Sequence, residues 1–217
     1  MRTDRFADRA EAGRALADLL ADLRGTPDLL VLGLPRGGVP VAAEVARALG
    51  AELDVLVARK LGHPAQPEVA MGAIAAVGRD DLAAVENPAI ADPLAVAGVR
   101  ADEEVELRRR QRAYRDGRPP VRIDGRVVVL VDDGLATGAT MRAAVAAVRA
   151  GSPARVIVAV PVALGTTADD IAREADEVVC AWAAEGLWAV GAAYDHFDQT
   201  SDDEVRELLA RALRDMS

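Results

Sequence analysis

Val128-Val129-Leu130-Val131-Asp132-Asp133-Gly134-Leu135-Ala136-Thr137-Gly138-Ala139-Thr140 is the stretch on which the fold turns. Four apolar residues in a row read as a strand buried on both faces. Two carboxylates stand at its carboxyl end. A run of small residues and hydroxyls follows and opens a helix expected over 140–150, stopped by Gly151 and Pro153. The amino end of a helix carries free backbone N–H groups and positive partial charge, which suits a phosphate. Gly138 lets the backbone approach such a group, and the Thr137 and Thr140 hydroxyls add donors. Adjacent carboxylates at Asp132 and Asp133 can accept hydrogen bonds from a vicinal diol. A ligand with a diol at one end and a phosphate at the other is a ribose 5-phosphate. Either half alone has a plain explanation, a solvated acidic turn or a threonine cap; the two in this order favour the ligand. The loop has neither the Gly-Lys-Ser/Thr of a P-loop nor a Gly-x-Gly-x-x-Gly dinucleotide fingerprint.

Outward from this stretch, strands and helices alternate. A helix is expected over 6–23, a strand over 29–33, a glycine turn at Gly37-Gly38, a helix over 39–49 and a strand over 53–58. Strand, turn, helix and strand make a βαβ unit and hence a parallel sheet. From 59 to about 93 the pattern weakens at His63-Pro64 and Gln66-Pro67, and reads as a mobile loop followed by one or two short strands. A charged helix over 101–115 carries acids early and arginines late, which complements its dipole. Beyond the central strand at 127–131 come a strand over 155–160, a helix over 166–175 and a strand over 178–181. A final helix begins near Asp202 at the capping box Ser201-Asp202-Asp203-Glu204. The expected fold is α/β, a doubly wound and mostly parallel sheet with flanking helices. Ligands of such sheets bind beyond the carboxyl ends of the strands.

The 217 residues, 51% of them hydrophobic, suffice for a single domain over 1–217. A net charge of -9 argues against a general nucleic-acid or anionic-membrane binder. The one cysteine, Cys180, lies in an apolar run; it excludes an intrachain disulfide and reads as a buried, inert thiol. The amino terminus shows no signal-peptide core, and the longest apolar run is too short to cross a bilayer, so a cytoplasmic protein is expected. His63 and His196 are isolated and lack metal-ligand spacing.

The 128–140 segment resembles the motif by which type I phosphoribosyltransferases bind 5-phosphoribosyl-1-pyrophosphate (PRPP): four apolar residues, two acidic ones, then a Thr-Gly-x-Thr loop. Pro35-Arg36-Gly37-Gly38, Arg59-Lys60 and an acidic, aromatic-containing C-terminal piece extend the likeness over most of the chain, to a group of bacterial phosphoribosyltransferase-domain proteins. The resemblance implies PRPP with Mg²⁺ as ligand, the metal held mainly through PRPP oxygens and water, with Asp132 and Asp133 as further candidates. It implies the 5-phosphate on the loop of Gly134, Ala136, Thr137, Gly138, Ala139 and Thr140, and the ribose diol on Asp132 and Asp133. The pyrophosphate falls to Arg36, Gly37, Gly38, Arg59 and Lys60, in a turn that often holds a cis peptide in this family.

The same resemblance makes residues 59–78 a flexible loop closing over the pyrophosphate. Within it Lys60 is a catalytic candidate, and Glu68 is either an acid or base near the acceptor or a solvated carboxylate. Ala136 stands where 6-oxopurine enzymes of the family use an aspartate, which disfavours a hypoxanthine- or guanine-type mechanism. A small hood is expected at about 182–200, where Trp188 and Tyr194 either stack on a flat acceptor or pack the segment. Arginines in 108–115 form either a solvated helix face or part of a homodimer interface reaching a neighbour's pyrophosphate. The implied activity is transfer of a phosphoribosyl group to an unidentified, nucleobase-like acceptor with release of pyrophosphate. The alternative is a PRPP-binding regulator without catalysis, although no basic helix-turn-helix segment accompanies the motif.

Overall fold

A computed structural model describes residues 5–76, 82–86, 93–115, 118 and 121–215. In chain order the helices are α1 (Arg9–Leu19), α2 (Gly38–Leu49), α3 (Pro93–Arg115), α4 (Ala139–Ala150), α5 (Thr167–Ile171) and α6 (Asp202–Asp215). The strands are β1 (Leu29–Gly33), β2 (Glu52–Val55), β3 (Ala58–His63), β4 (Gln66–Ala76), β5 (Leu82–Glu86), β6 (Val127–Val131), β7 (Arg155–Leu164) and β8 (Glu177–Ala184).

Five strands pair in the order β2-β1-β6-β7-β8, all parallel. Their continuous apolar runs follow from burial on both faces. Side chains alternate across the sheet: Leu29, Val31, Val129 and Val131 pack with Val41, Val45 and Leu209 of α2 and α6. Leu30, Leu32, Val128 and Leu130 face Met141, Val145 and Ile171 of α4 and α5. Connections leave β1 in one direction across the sheet and return to β6 on its other side, so the strand order reverses between them. That reversal opens a crevice at the carboxyl ends of β1 and β6, where residues 34–38 and 132–140 lie.

Several boundaries differ from the expected ones for identifiable reasons. The first helix starts at Arg9, because the Asp8 carboxylate accepts from the Glu11 N–H at 2.7 Å and caps it. Phe6, counted as helical from its spacing, instead bridges Tyr194 in extended form. α3 begins at Pro93, earlier than 101. β7 runs on to Leu164, beyond 160, because its end pairs with β8 and with Leu135. α5 ends at Ile171, short of 175. The serine cap expected at the last helix forms: the Ser201 hydroxyl accepts from the Glu204 N–H at 3.1 Å.

The loop reading of 59–78 needs correction. β3 and β4 form an antiparallel hairpin, extended by β5 into a three-stranded sheet; residues 77 and 78 lie outside the described residues. Leu61, Met71 and Ile74 are fully buried there in one cluster with Val96, Leu107 and Tyr114 of α3, and Ala75 packs with Met141 and Val145 of α4. Tertiary packing thus supplies the order that local alternation did not signal.

α3 also departs from a purely solvated arginine face. Arg109 and Arg110 stay at the surface, each with its Nε 2.7 Å from Glu106. Arg115 turns inward. Its Nε reaches both Asp54 oxygens, at 3.1 and 2.9 Å, and its Nη2 donates to the Val55 carbonyl at 2.6 Å. Both side chains are buried, and Asp54 also accepts from the Val121 N–H. Cys180 is a free thiol, half-buried, and burial pushes its pKa up. Among the described residues no helix is long and apolar enough to cross a membrane.

A buried ion pair broken on one side leaves an uncompensated charge, at a cost of about 3–5 kcal/mol. Asp54→Ala is therefore expected to destabilise the fold by about that much in urea denaturation, and Asp54→Leu with Arg115→Met to recover most of it. A loss below about 1 kcal/mol for the single change would show that the pair does not anchor α3 to β2.

Candidate functional site

The crevice is bounded by two loops that end adjacent strands. On the β1 side, the Leu34 N–H donates to the Val131 carbonyl at 2.9 Å, and Gly38 N–H closes the turn on the Leu34 carbonyl at 3.0 Å. The Pro35–Arg36 peptide is cis. The turn lies so close to the neighbouring strand that no side chain fits. A Cβ on Gly37 would stand 1.9 Å from Asp133 Oδ2, and one on Gly38 would stand 2.7 Å from the Val131 carbonyl oxygen. Gly38 is thus required by the approach of one backbone to another, and Gly37 by the Asp133 carboxylate and the Arg9 guanidinium packed against it.

On the β6 side, Asp132 and Asp133 leave the strand together. Asp132 Oδ1 accepts from the Asp133 N–H at 2.9 Å. Burial, then the charge of Asp133, hold the Asp132 pKa well above the ordinary aspartate range. Burial also raises Asp133, and Arg9 opposes that rise. Arg9 Nε lies 2.9 Å from Asp133 Oδ2, with both side chains mostly covered.

Past the acids, Gly138 takes a left-handed conformation, φ 73°, and α4 begins at the next residue. A β-carbon at Gly138 would also meet Thr167 Cγ2 at 2.9 Å. The cap residues Gly138 and Gly37 have no side chain to close α4 and α2, and the Thr137 hydroxyl makes only a long 3.5 Å contact with the Ala139 N–H, so both helices present amino ends at the crevice from opposite faces of the sheet. Ala136, Thr137 and Thr140 are exposed and Ala139 is half-buried. Thr167, which the sequence marks only as part of a helix start, pins this loop: its hydroxyl lies 2.8 and 2.9 Å from the Ala136 and Leu164 carbonyl oxygens, which share its single proton. Gly134 lies beneath Val190, where a Cβ would come within 2.4 Å.

The C-terminal segment covers one end of the crevice. Residues 190–193 form a short 3-10 turn. Trp188 is 87% exposed. Tyr194, read either as an acceptor platform or as packing for the segment, is buried. Its ring stacks on Phe197 at 4.9 Å and lies 5.6 Å from Phe6, and its hydroxyl donates to the Asp133 carbonyl at 2.6 Å. Burial and the charge of Asp133 push the Tyr194 phenol far above its ordinary pKa. An isolated Tyr in a C-terminal stretch gives no hint of that long-range contact.

The remaining candidates are more dispersed. Arg36 Nη1 is 3.9 Å from Asp202 Oδ1 at the start of α6, and Tyr114 donates to the same oxygen at 2.8 Å. Arg59 pairs with Glu103 of α3 at 2.5 Å. Lys60 and Glu68 have backbone places in β3 and β4, and their side chains lie outside the described ones. His63 accepts from the Ala65 N–H at 3.1 Å. Among the described residues, no group of three or more His, Cys, Asp or Glu gathers to hold a metal.

Comparison with known proteins agrees with this geometry. A family model for the phosphoribosyl transferase domain matches residues 3–195. Sequences from two strains of Mycobacterium tuberculosis, provisionally named phosphoribosyl transferases, are 47% identical over 216 residues, 98% of this chain and 48% of theirs. The chain therefore spans about half the length of these curated relatives. The crystal structure of TT1426 from Thermus thermophilus superposes with a TM-score of 0.85 at 45% identity, covering 95% of this chain and 98% of that one. AQ2163 from Aquifex aeolicus shares the fold, with a TM-score of 0.50 at 12% identity over 84% of this chain and 78% of that one. The chain belongs to the phosphoribosyltransferase family, with the doubly wound fold of its type I members.

A carboxyl whose pKa is raised on folding stabilises the fold while protonated. That contribution is full below the unfolded value and is lost as pH rises through the folded one. For Asp132 the ligand-free protein is accordingly strained at neutral pH. Asp132→Asn should raise stability, on the order of 1 kcal/mol at about pH 8 and less at about pH 5. Urea denaturation of both proteins across that range checks it; a difference independent of pH would contradict the assigned cause.

Proposed function

We propose that this chain binds PRPP, displaces pyrophosphate from the anomeric carbon of its ribose and transfers the phosphoribosyl group to a small, nucleobase-like acceptor. The observation that carries this reading is the pair Asp132 and Asp133 at the strand-order reversal, set between the open amino ends of α2 and α4. Two carboxylates suit the ribose diol. The α4 end, with Thr137, Gly138, Ala139 and Thr140, suits the 5-phosphate. The α2 end, with Arg36, Gly37 and Gly38, suits the pyrophosphate.

Fixed backbone donors aimed at both phosphate groups would hold the anomeric carbon in place and take up charge on the leaving group. Adjacent carboxylates are hard oxygen donors. With no third acid or histidine beside them among the described residues, they fit a magnesium ion held largely by oxygens of its ligand and by water. When bound, that ion would neutralise the pyrophosphate.

The acceptor would lie under the hood, where Trp188 offers an exposed flat face. Ala136 presents a methyl group where a 6-oxopurine mechanism needs a carboxylate. In this reading the β3–β4 hairpin covers the leaving group, with Lys60 on the pyrophosphate, Glu68 facing the acceptor, and Arg59 exchanging Glu103 for a phosphate oxygen. A homodimer over the arginine-bearing face of α3 completes the reading, and light scattering on the eluting protein tests that part.

Asp132→Asn with Asp133→Asn is expected to weaken PRPP binding by about 2–4 kcal/mol in calorimetric titration with Mg²⁺, through lost charge-assisted hydrogen bonds. Arg36→Ala should weaken PRPP while leaving ribose 5-phosphate affinity within about twofold, because only PRPP carries the pyrophosphate. Unchanged PRPP affinity in the folded double variant would remove the assignment. Pyrophosphate release with a panel of acceptors separates an enzyme from a PRPP-binding regulator: tight binding without release favours the regulator.

A further inference from the structure

Arg9 lies outside the phosphoribosyltransferase motif and makes three contacts, one to the acidic pair and two to the C-terminal segment. Its Nε donates to Asp133 Oδ2 at 2.9 Å. Its Nη1 donates to the Asp198 carbonyl at 2.7 Å. Its guanidinium carbon lies 4.0 Å from the centre of the Phe197 ring. The same Phe197 ring stacks on Tyr194, whose hydroxyl donates to the Asp133 carbonyl. The C-terminal segment is also joined to the amino-terminal one by the Arg5–Asp195 ion pair at 4.0 Å, by the Phe6–Tyr194 ring contact and by backbone bonds. Phe6 N–H donates to Ala193, Asp195 N–H to Phe6 and His196 N–H to Ala7, at 2.9, 2.8 and 2.9 Å. Arg9, on the first turn of α1, therefore joins the carboxylate that faces the crevice to the segment that covers it.

We propose that Arg9 is a positioning residue that latches the C-terminal hood to the Asp133 carboxylate, so that ligand engagement at Asp133 sets the position of residues 194–198. The inference rests on Asp133 receiving the ribose diol. A carboxylate that accepts a diol must share or redirect its oxygens, and the arginine bonded to Oδ2 shifts with it. A planar guanidinium can hold a carboxylate, a carbonyl and a ring face at once. A lysine ammonium carries the charge but cannot present that fork and face together. By linkage, whatever hood movement the ligand induces must be returned as ligand affinity.

The test uses the full chain and PRPP with Mg²⁺, read by calorimetry and by amide hydrogen exchange over 194–198 with and without ligand. In the unaltered chain PRPP is expected to change exchange at these amides. Arg9→Lys should abolish that response and weaken PRPP about tenfold, the scale of one charge-assisted hydrogen bond. Phe197→Leu leaves the Arg9–Asp133 pair intact and should also remove the exchange response, with a smaller change in affinity. It serves as the deciding variant if Arg9→Lys fails to fold. A residue acting only as a structural staple would lower the melting temperature and leave the ligand-linked response in place. That result in either variant overturns the latch, as does an unaltered chain that binds PRPP with no change over 194–198. Failure of the unaltered chain to bind PRPP instead overturns the ribose assignment of Asp133 and this inference with it.

Discussion

The rest of the site depends on how closely the turn after β1 approaches the end of β6. The Leu34 N–H is bonded to the Val131 carbonyl, and the Gly37 and Gly38 positions leave no room for a β-carbon against Asp133, Val131 and Asp132. Because β1 and β6 are neighbours in register, Gly33 opposite Val131, the two loops begin at the same level of the sheet. The helices that follow them diverge to opposite faces. A crevice with a helix amino end on each side and two carboxylates at its floor is the outcome. A side chain at Gly38 would push against the β6 backbone and force the strands' ends apart, and one at Gly37 would displace the Asp133 carboxylate.

That floor comes with a cost in the ligand-free protein. Two buried carboxylates side by side repel, and burial raises both. Arg9 offsets part of this at Asp133 through a direct hydrogen bond, and at Asp132 the Asp133 N–H and the more distant charge of Arg9 offset a smaller part. Under the proposed PRPP reading, this local cost is the usual conflict between stability and function. The nearby hydroxyls show the opposite arrangement. Thr167 and Tyr194 spend their donors on backbone carbonyls of the loop, fixing it before any ligand arrives.

Much of this was legible in the chain of residues. The run Val127–Val131, the acids behind it and the Thr-Gly-x-Thr loop specify a buried strand, a turn and a helix start by short-range rules alone. The observed β6 and α4 follow them to within one residue. The same holds for Leu29–Gly33 and for the Ser201 cap. The hairpin at Ala58–Ala76 was not legible, because its glycines, prolines and alanines give no clean alternation, and its order comes from burying Leu61, Met71 and Ile74 against helices distant in sequence. Arg115 among the other arginines of α3 could not be told apart either, since its burial depends on where Asp54 ends up.

By itself the sequence determined the strands of the central sheet and the helices between them, that the sheet is parallel, and which loops carry paired carboxylates, glycines and hydroxyls at its carboxyl ends. These properties arise from hydrophobic period, capping and backbone sterics within a few residues of each other. Only the tertiary structure decided that Arg9 meets Asp133 across 124 positions of sequence, and that Tyr194 is a buried support for the acidic loop. It likewise decided that residues of the weak-pattern segment form a second sheet. Such contacts depend on the spatial order β2-β1-β6-β7-β8 and on which helix covers which face. No local rule encodes that order, because the free energy that selects it is the burial of the whole core at once.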